Sequence, residues 1–311
     1  MRRVRRFLSM AVALCLPLSA VAQTPVEVAP GVYALIADLG DVSPDNRGVV
    51  GNAGFIVADR AVLAIDAGVS YRFGERMLAA IGVVSPNPVQ LVVLTDPIQE
   101  FHFGAPAFQD RGIPVLAHRD AADLIARRCA TCLAKLRVTL GDDEMARSRV
   151  VVPDRLIDAS TTLQVGDRNV DVVYLGGGAA PGNLAVLDRR SGVLFAGGLV
   201  SLGRIPRLRD GDLQVWIDAL KGLEALPAKW IVPGHGPVAT PTAARQTLAY
   251  LVALQDKVTA LYAQGASLPV ALQSADLPAF RTWSLYATLH TENVQELYLR
   301  LERADLRRDR P

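Results

Sequence analysis

Three places in this 311-residue chain carry side chains suited to chemistry. The first is Thr95-Asp96-Pro97-Ile98-Gln99-Glu100-Phe101-His102-Phe103-Gly104, where two carboxylates and an imidazole follow the apolar run Leu91 to Leu94. The second is the turn Gly234-His235-Gly236, and the third is Cys129-Ala130-Thr131-Cys132. Acidic and imidazole side chains are the types that ligate metal ions, and a loop leaving a buried strand is where such groups are held in place. The cysteine pair leaves three readings open: a local disulfide, two ordinary buried thiols, or a redox or metal role.

Other designs fit poorly. Gly176-Gly177-Gly178 lacks the Lys-Ser/Thr of a phosphate-cradling loop, and no serine sits in a G-x-S-x-G elbow. His118 reads as a surface or cap residue, and Asp142-Asp143-Glu144 as a solvated face or helix start. Leu133 stands where c-type haem attachment needs a histidine.

The elements that must position these residues follow from the apolar pattern. Short strands bounded by turn residues are expected at 31–36, 54–58 and 61–65, the last ending at Asp66-Ala67-Gly68. A helix at 72–83 and a fully buried strand at 90–95 come next. A stretch rich in Ala, Leu and Arg predicts a helix over 119–138. The strand pattern then restarts near 161–165, 170–175, 184–188 and 193–196, and an amphipathic helix at 213–223 leads to a strand at 230–233. Two β-rich halves with helices outside predict an α/β, four-layer αββα sandwich.

Residues 1–22 read as a secretory signal: a basic start with Arg2, Arg3, Arg5 and Arg6, an apolar run from Phe7 to Val21, and small residues at Ala20 and Ala22. Cleavage after Ala22 would remove Cys15 and start the mature chain at Gln23, in the periplasm or outside the cell. The residues after Arg5-Arg6 fit a twin-arginine signal poorly, which favours ordinary secretion. No acid lies in the leader, so losing its four arginines turns the formal charge of +2 into −2. That balance gives a nucleic-acid partner no support, and no later segment is long and apolar enough to span a bilayer. With 50% hydrophobic and 21% charged residues, disorder and a coiled coil are also excluded.

The motifs Gly51-Asn52-Ala53-Gly54, Ala64-Ile65-Asp66-Ala67-Gly68, a buried strand plus Thr95, Leu194-Phe195-Ala196-Gly197 and Val232-Pro233-Gly234-His235-Gly236 stand in the order found in the metallo-β-lactamase superfamily. The chain resembles that superfamily over about residues 27 to 240. Three flanking features, Val28-Ala29-Pro30-Gly31-Val32-Tyr33, Gly203-Arg204-Ile205-Pro206 and His290 with Asn293-Val294, resemble the exported zinc metallohydrolases associated with quinoprotein dehydrogenase systems. The resemblance implies a signal peptide at 1–22, a metallo-β-lactamase-like domain at 23–240, and a helical C-terminal extension at 241–311 packed on the same domain.

The family binds two zinc ions through a T-H-x-H-x-D-H loop, a later histidine, a bridging aspartate and the histidine of P-G-H-G, and the metal acidifies a bound water. Here Asp96, Ile98, Glu100 and Phe101 take the loop's ligand positions. Ala179 stands for the later histidine, Ala180 for a threonine and Gly198 for the bridging aspartate. His235 is retained, and Asp66 corresponds to a residue that supports the ligands. The resemblance therefore implies a degenerate cleft around Asp96, Glu100, His102 and His235, with no cofactor expected or zinc at low occupancy on Asp96, Glu100 and His235. The expected function is an exported binding or accessory protein with a small-molecule ligand or a periplasmic protein partner, in one form a purely structural subunit. The alternative is a metal-dependent hydrolase of thioester, lactone or β-lactam type with a reduced metal site.

Overall fold

The computed structural model describes residues 24–308, so the signal read at 1–22 lies outside the described residues. Seven strands form one sheet in chain order: β1 (Val26–Ala29), β2 (Val32–Leu35), β3 (Ala53–Val57), β4 (Val62–Ile65), β5 (Val89–Val93), β6 (Val115–His118) and β7 (Arg155–Ile157). The pairs from β1 to β4 are antiparallel, and from β4 onward they are parallel, as helical crossovers require. A second sheet holds β8 (Thr161–Val165), β9 (Arg168–Tyr174), β10 (Leu184–Asp188), β11 (Val193–Ser201) and β12 (Trp230–His235) in the order β12-β11-β10-β9-β8.

Continuous apolar runs mark the strands covered on both faces. In β4, Val62 and Ala64 pack toward helices while Leu63 and Ile65 face the other sheet, and in β10 Ala185 and Leu187 divide from Leu184 and Val186 in the same way. Against the first sheet lie α1 (Tyr71–Val84), the short α2 (Gln99–His102) and α3 (Ala105–Gln109), and α4 (Arg119–Glu144). Against the second lie α5 (Leu213–Glu224), α6 (Ala244–Ala263), α7 (Leu268–Ser274) and α8 (Thr291–Arg308). The result is the expected αββα order of layers. No helix among the described residues is long and apolar enough to cross a membrane.

Several boundaries differ from the sequence reading for identifiable reasons. Strand β11 runs past Ala196 to Ser201, because Gly197 at φ 50° shifts its register against β12 and lets the strand continue. Helix α4 does not run straight to Glu144: it breaks at Gly141 (φ 82°, ψ 161°), and Asp142-Asp143-Glu144 opens a separate short helical turn, as the helix-start reading expects. That run is not wholly solvated: Glu144 accepts from Ser70 Oγ at 2.7 Å and pairs with Arg76 at 3.3 Å. His118 is a cap, with Nδ1 accepting from the Asp120 amide at 3.2 Å, but it is buried and stacked on Tyr174 rather than at the surface.

Asn52 joins the two halves beside the site. Its side chain donates to the carbonyls of Pro233 and Gly236 at 2.8 Å each and accepts from the Ala37 amide at 2.8 Å. Buried carbonyls left unpaired cost about 1–3 kcal/mol each, so this one side chain fixes the turn that carries His235. In the C-terminal part, Asn293 donates to the Pro206 carbonyl at 2.7 Å and accepts from the Leu208 amide at 2.9 Å. It thereby ties α8 to the loop after β11.

Candidate functional site

The site lies where the loops after β4, β5, β11 and β12 meet. Asp66, at φ 57°, turns its carboxylate back onto the next strand's end, accepting from the Thr95 amide at 2.8 Å and the Thr95 hydroxyl at 2.6 Å. The Thr95 carbonyl accepts from the Leu184 amide at 2.9 Å, which carries the link to the second sheet. The Ala67 amide donates to the Phe101 carbonyl at 2.7 Å, and a Cβ on Gly104 would stand 1.8 Å from the Ala67 carbonyl oxygen. Only glycine permits that approach. The loop from 95 to 104 is therefore held at both ends against the 66–68 turn.

Asp96 is buried and already satisfied within the protein. One carboxylate oxygen accepts from the Ile98 amide and the other from the Asn183 side-chain amide, both at 2.7 Å. A Cβ at Gly198 would lie 1.8 Å from Asp96 Oδ2, so this carboxylate fills the space that a side chain at 198 would need. Burial pushes the Asp96 carboxyl up to about 7 against the pull of the Ile98 amide and Asn183, and the Glu100 charge adds to the rise.

Glu100 and His235 come together, with Glu100 Oε1 3.6 Å from His235 Nε2. Burial would raise the Glu100 carboxyl, but His235 and the Arg204 guanidinium outweigh it and hold it at about 2. Burial and then Arg204 push the His235 imidazole down to about 4, so at neutral pH an ionised Glu100 faces a neutral imidazole and a buried guanidinium. Phe101 sets its edge against the His235 ring at 5.5 Å. His102 turns the other way, into the outer layer, where Nε2 lies 3.3 Å from Cys129 Sγ and burial lowers its ring to about 3.

The two-zinc arrangement implied by the sequence resemblance does not fit these residues. Among the described residues no group of three or more His, Cys, Asp or Glu is placed to hold a metal ion. One observation points the other way: His235 Nε2 is buried without a hydrogen-bond partner. Its surroundings do not complete a ligand set, because Asp96 is committed to Asn183 and the Ile98 amide, while Ile98, Phe101 and Ala179 supply only carbon. The strongest nearby cation is Arg204.

Arg204 and Asn183 were not singled out from the sequence as site residues, although both lie in stretches that were. The spacing Arg204, Arg207, Arg209 was the available signal, since three cations within six residues on a loop between buried elements call for anionic partners. Arg207, Arg209 and helix α4 bound a cleft of about 440 Å³ beside the site, lined by Arg127, Arg128, Lys135, Arg207 and Arg209 against the acids Asp41, Glu100 and Asp210, while Arg204 lies with Glu100 and His235 in the site itself.

A family model described as the metallo-beta-lactamase superfamily matches residues 101–235. A metallo-beta-lactamase from Pontibacter korlensis superposes with a TM-score of 0.61 at 23% identity, covering 73% of this chain and 98% of its own. The metallo-beta-lactamase DIM-1, in a structure exposed to ceftazidime, gives 0.58 at 16% identity with 73% and 95% coverage. TMB-1 gives 0.57 at 17% identity with 73% and 96% coverage. Comparison with curated protein sequences returns no match.

The buried Asp96 generates a pH prediction. An aspartate titrates near 3.9 in an unfolded chain and here near 7, so between those values the folded state holds the extra proton. The group's contribution to stability is therefore full below about 4 and is lost as pH rises toward 7. Asp96→Asn cannot ionise. Urea unfolding at pH ~5 and pH ~8 should show wild type losing on the order of 2 kcal/mol relative to the variant between the two. A difference that does not change with pH would contradict the burial of an ionisable Asp96.

Proposed function

We propose that this chain, which has the metallo-β-lactamase fold, is an exported protein that binds a small anionic molecule without zinc chemistry, as an accessory to a periplasmic oxidation system of the quinoprotein type. The observation that carries the reading is the closed polar cluster: Asp96 is held by Asn183 and the Ile98 amide, and Glu100 faces Arg204 and His235. With both of its oxygens bonded, Asp96 is not free to ligate a metal, and Glu100 with His235 alone falls short of the three protein ligands of a catalytic zinc site.

The neighbouring cleft supports a binding role. Five cationic side chains against three acids give it a positive surplus, and its volume falls within the usual range for small-molecule sites. Arg128 and Arg209 both pair with Asp210, whose side chain is almost fully buried, so these two guanidiniums are held in place before any ligand arrives. Preorganised guanidiniums suit a carboxylate or phosphate, which they can meet with paired hydrogen bonds. The link to quinoprotein systems rests on the sequence resemblance alone, and export rests on the leader.

Zinc stoichiometry separates this reading from the reduced-site hydrolase. Protein dialysed free of chelator and equilibrated with zinc should retain well under one ion per chain and should turn over neither β-lactam nor thioester above a metal-free control. One tightly held zinc, lost in Glu100→Ala or His235→Ala and accompanied by turnover, would establish the hydrolase instead. Export has its own check: N-terminal mass spectrometry should find a chain starting at Gln23, and an intact Met1 on the folded cellular protein would rule it out.

A further inference from the structure

The cleft holds chemistry that the binding role does not use. Cys129 and Cys132 are both free thiols on α4, and both line it. They differ in surroundings. Cys129 is buried, within 3.3 Å of His102 Nε2 and 4.0 Å of the Pro97 carbonyl, whereas Cys132 is half-exposed, with Sγ 3.5 Å from the Arg128 carbonyl.

From this arrangement the geometry points to a thiol–disulfide exchange site, in which Cys132 attacks an anionic low-molecular-weight disulfide drawn into the cationic cleft and Cys129 resolves the product. Positions i and i+3 of a helix lie about 5 Å apart at Cα, inside the span a disulfide can bridge, and about 60° apart around the axis. Closure therefore needs only a local adjustment of the helix. A bridge made in this way is strained and readily reduced, which suits a reversible site better than a structural staple.

Charge supports the same division of labour. The neighbouring Cys129 thiol, then Arg209 and Arg128, pull the half-exposed Cys132 thiol below its ordinary range against burial, which favours its thiolate. The Cys132 neighbour and burial push Cys129 up, which suits the buried thiol to the resolving role. Arg127, Arg128, Lys135 and Arg209 surround the entrance.

The exchange balances in two steps. The Cys132 thiolate forms a bond to one sulfur of the external disulfide, whose S–S bond breaks, and the other half leaves as a thiolate with the electron pair. Cys129 Sγ then attacks Cys132 Sγ, the mixed disulfide breaks, and the second half leaves, taking up the proton that Cys129 gives up. The protein's dithiol is oxidised by two electrons, and the external disulfide is reduced to two thiols. This assignment is independent of the anion-binding reading above, since it needs the cleft's cations only to attract the oxidant.

The test uses the full chain, reduced, desalted and mixed with oxidised glutathione near neutral pH. Wild type should release two equivalents of reduced glutathione per chain and lose two hydrogens in mass. Cys129→Ser should stop at one glutathione bound to Cys132, and Cys132→Ser should not react. The folded protein should react about tenfold faster with oxidised glutathione than with the uncharged bis(2-hydroxyethyl) disulfide at low salt, a gap that closes at high salt. Wild type that releases no glutathione would overturn the proposal, as would Cys132→Ser protein in which Cys129 reacts as fast as Cys132 does. Equal rates with the two disulfides would overturn the role given to the cations.

Discussion

The bond from the Asp66 carboxylate to both the amide and the hydroxyl of Thr95 is the constraint on which the site depends. It requires a carboxylate at a left-handed backbone position, in a place where burial raises that carboxyl well above its usual range. The bond fixes where the loop after β5 begins, and the Phe101 carbonyl on the Ala67 amide fixes where it ends. Between those two points Asp96 has one direction available, toward Asn183 and into the space over Gly198. Glu100 likewise has one direction, toward His235 and Arg204.

The fold is that of the metallo-β-lactamase structures, and the charges at this site are balanced within the protein. In a metal site the negative charge of carboxylates is met by a divalent ion. Here Glu100 lies against His235 with the Arg204 charge nearby, and burial pushes the Asp96 carboxyl up to about 7. A guanidinium is always charged and presents fixed donors, so it stabilises an acid without acidifying water. Against burial, His235 and then Arg204 hold Glu100 ionised beside apolar Ile98 and Phe101. Burial depresses the His235 ring, and the Arg204 charge adds to the depression.

What could be read from the sequence divides along physical lines. Strands β4, β5 and β10 were legible because runs such as Val62 to Ile65 or Leu184 to Asp188 are covered on both faces, and turn residues bound them. The ends of β11 and α4 were not, since Gly197 and Gly141 act through φ values that depend on what packs around them. In the site, Asp66, Glu100 and His235 were legible as residues worth watching. The commitment of Asp96 to Asn183, the approach of Arg204 to Glu100 and the contact of His102 with Cys129 join residues 87, 104 and 27 positions apart, and nothing local announces such pairs.

The proposal that His235 sits neutral beside Glu100 and holds no zinc is tested most directly by following its imidazole with ¹⁵N nuclear magnetic resonance through a pH titration, with and without zinc. The ring should stay neutral from pH ~5 to pH ~8, protonate only near 4, and keep the same Nε2 shift when zinc is added. An Nε2 resonance displaced by one equivalent of zinc at neutral pH, or a ring that titrates at the ordinary 6.5, would contradict the account.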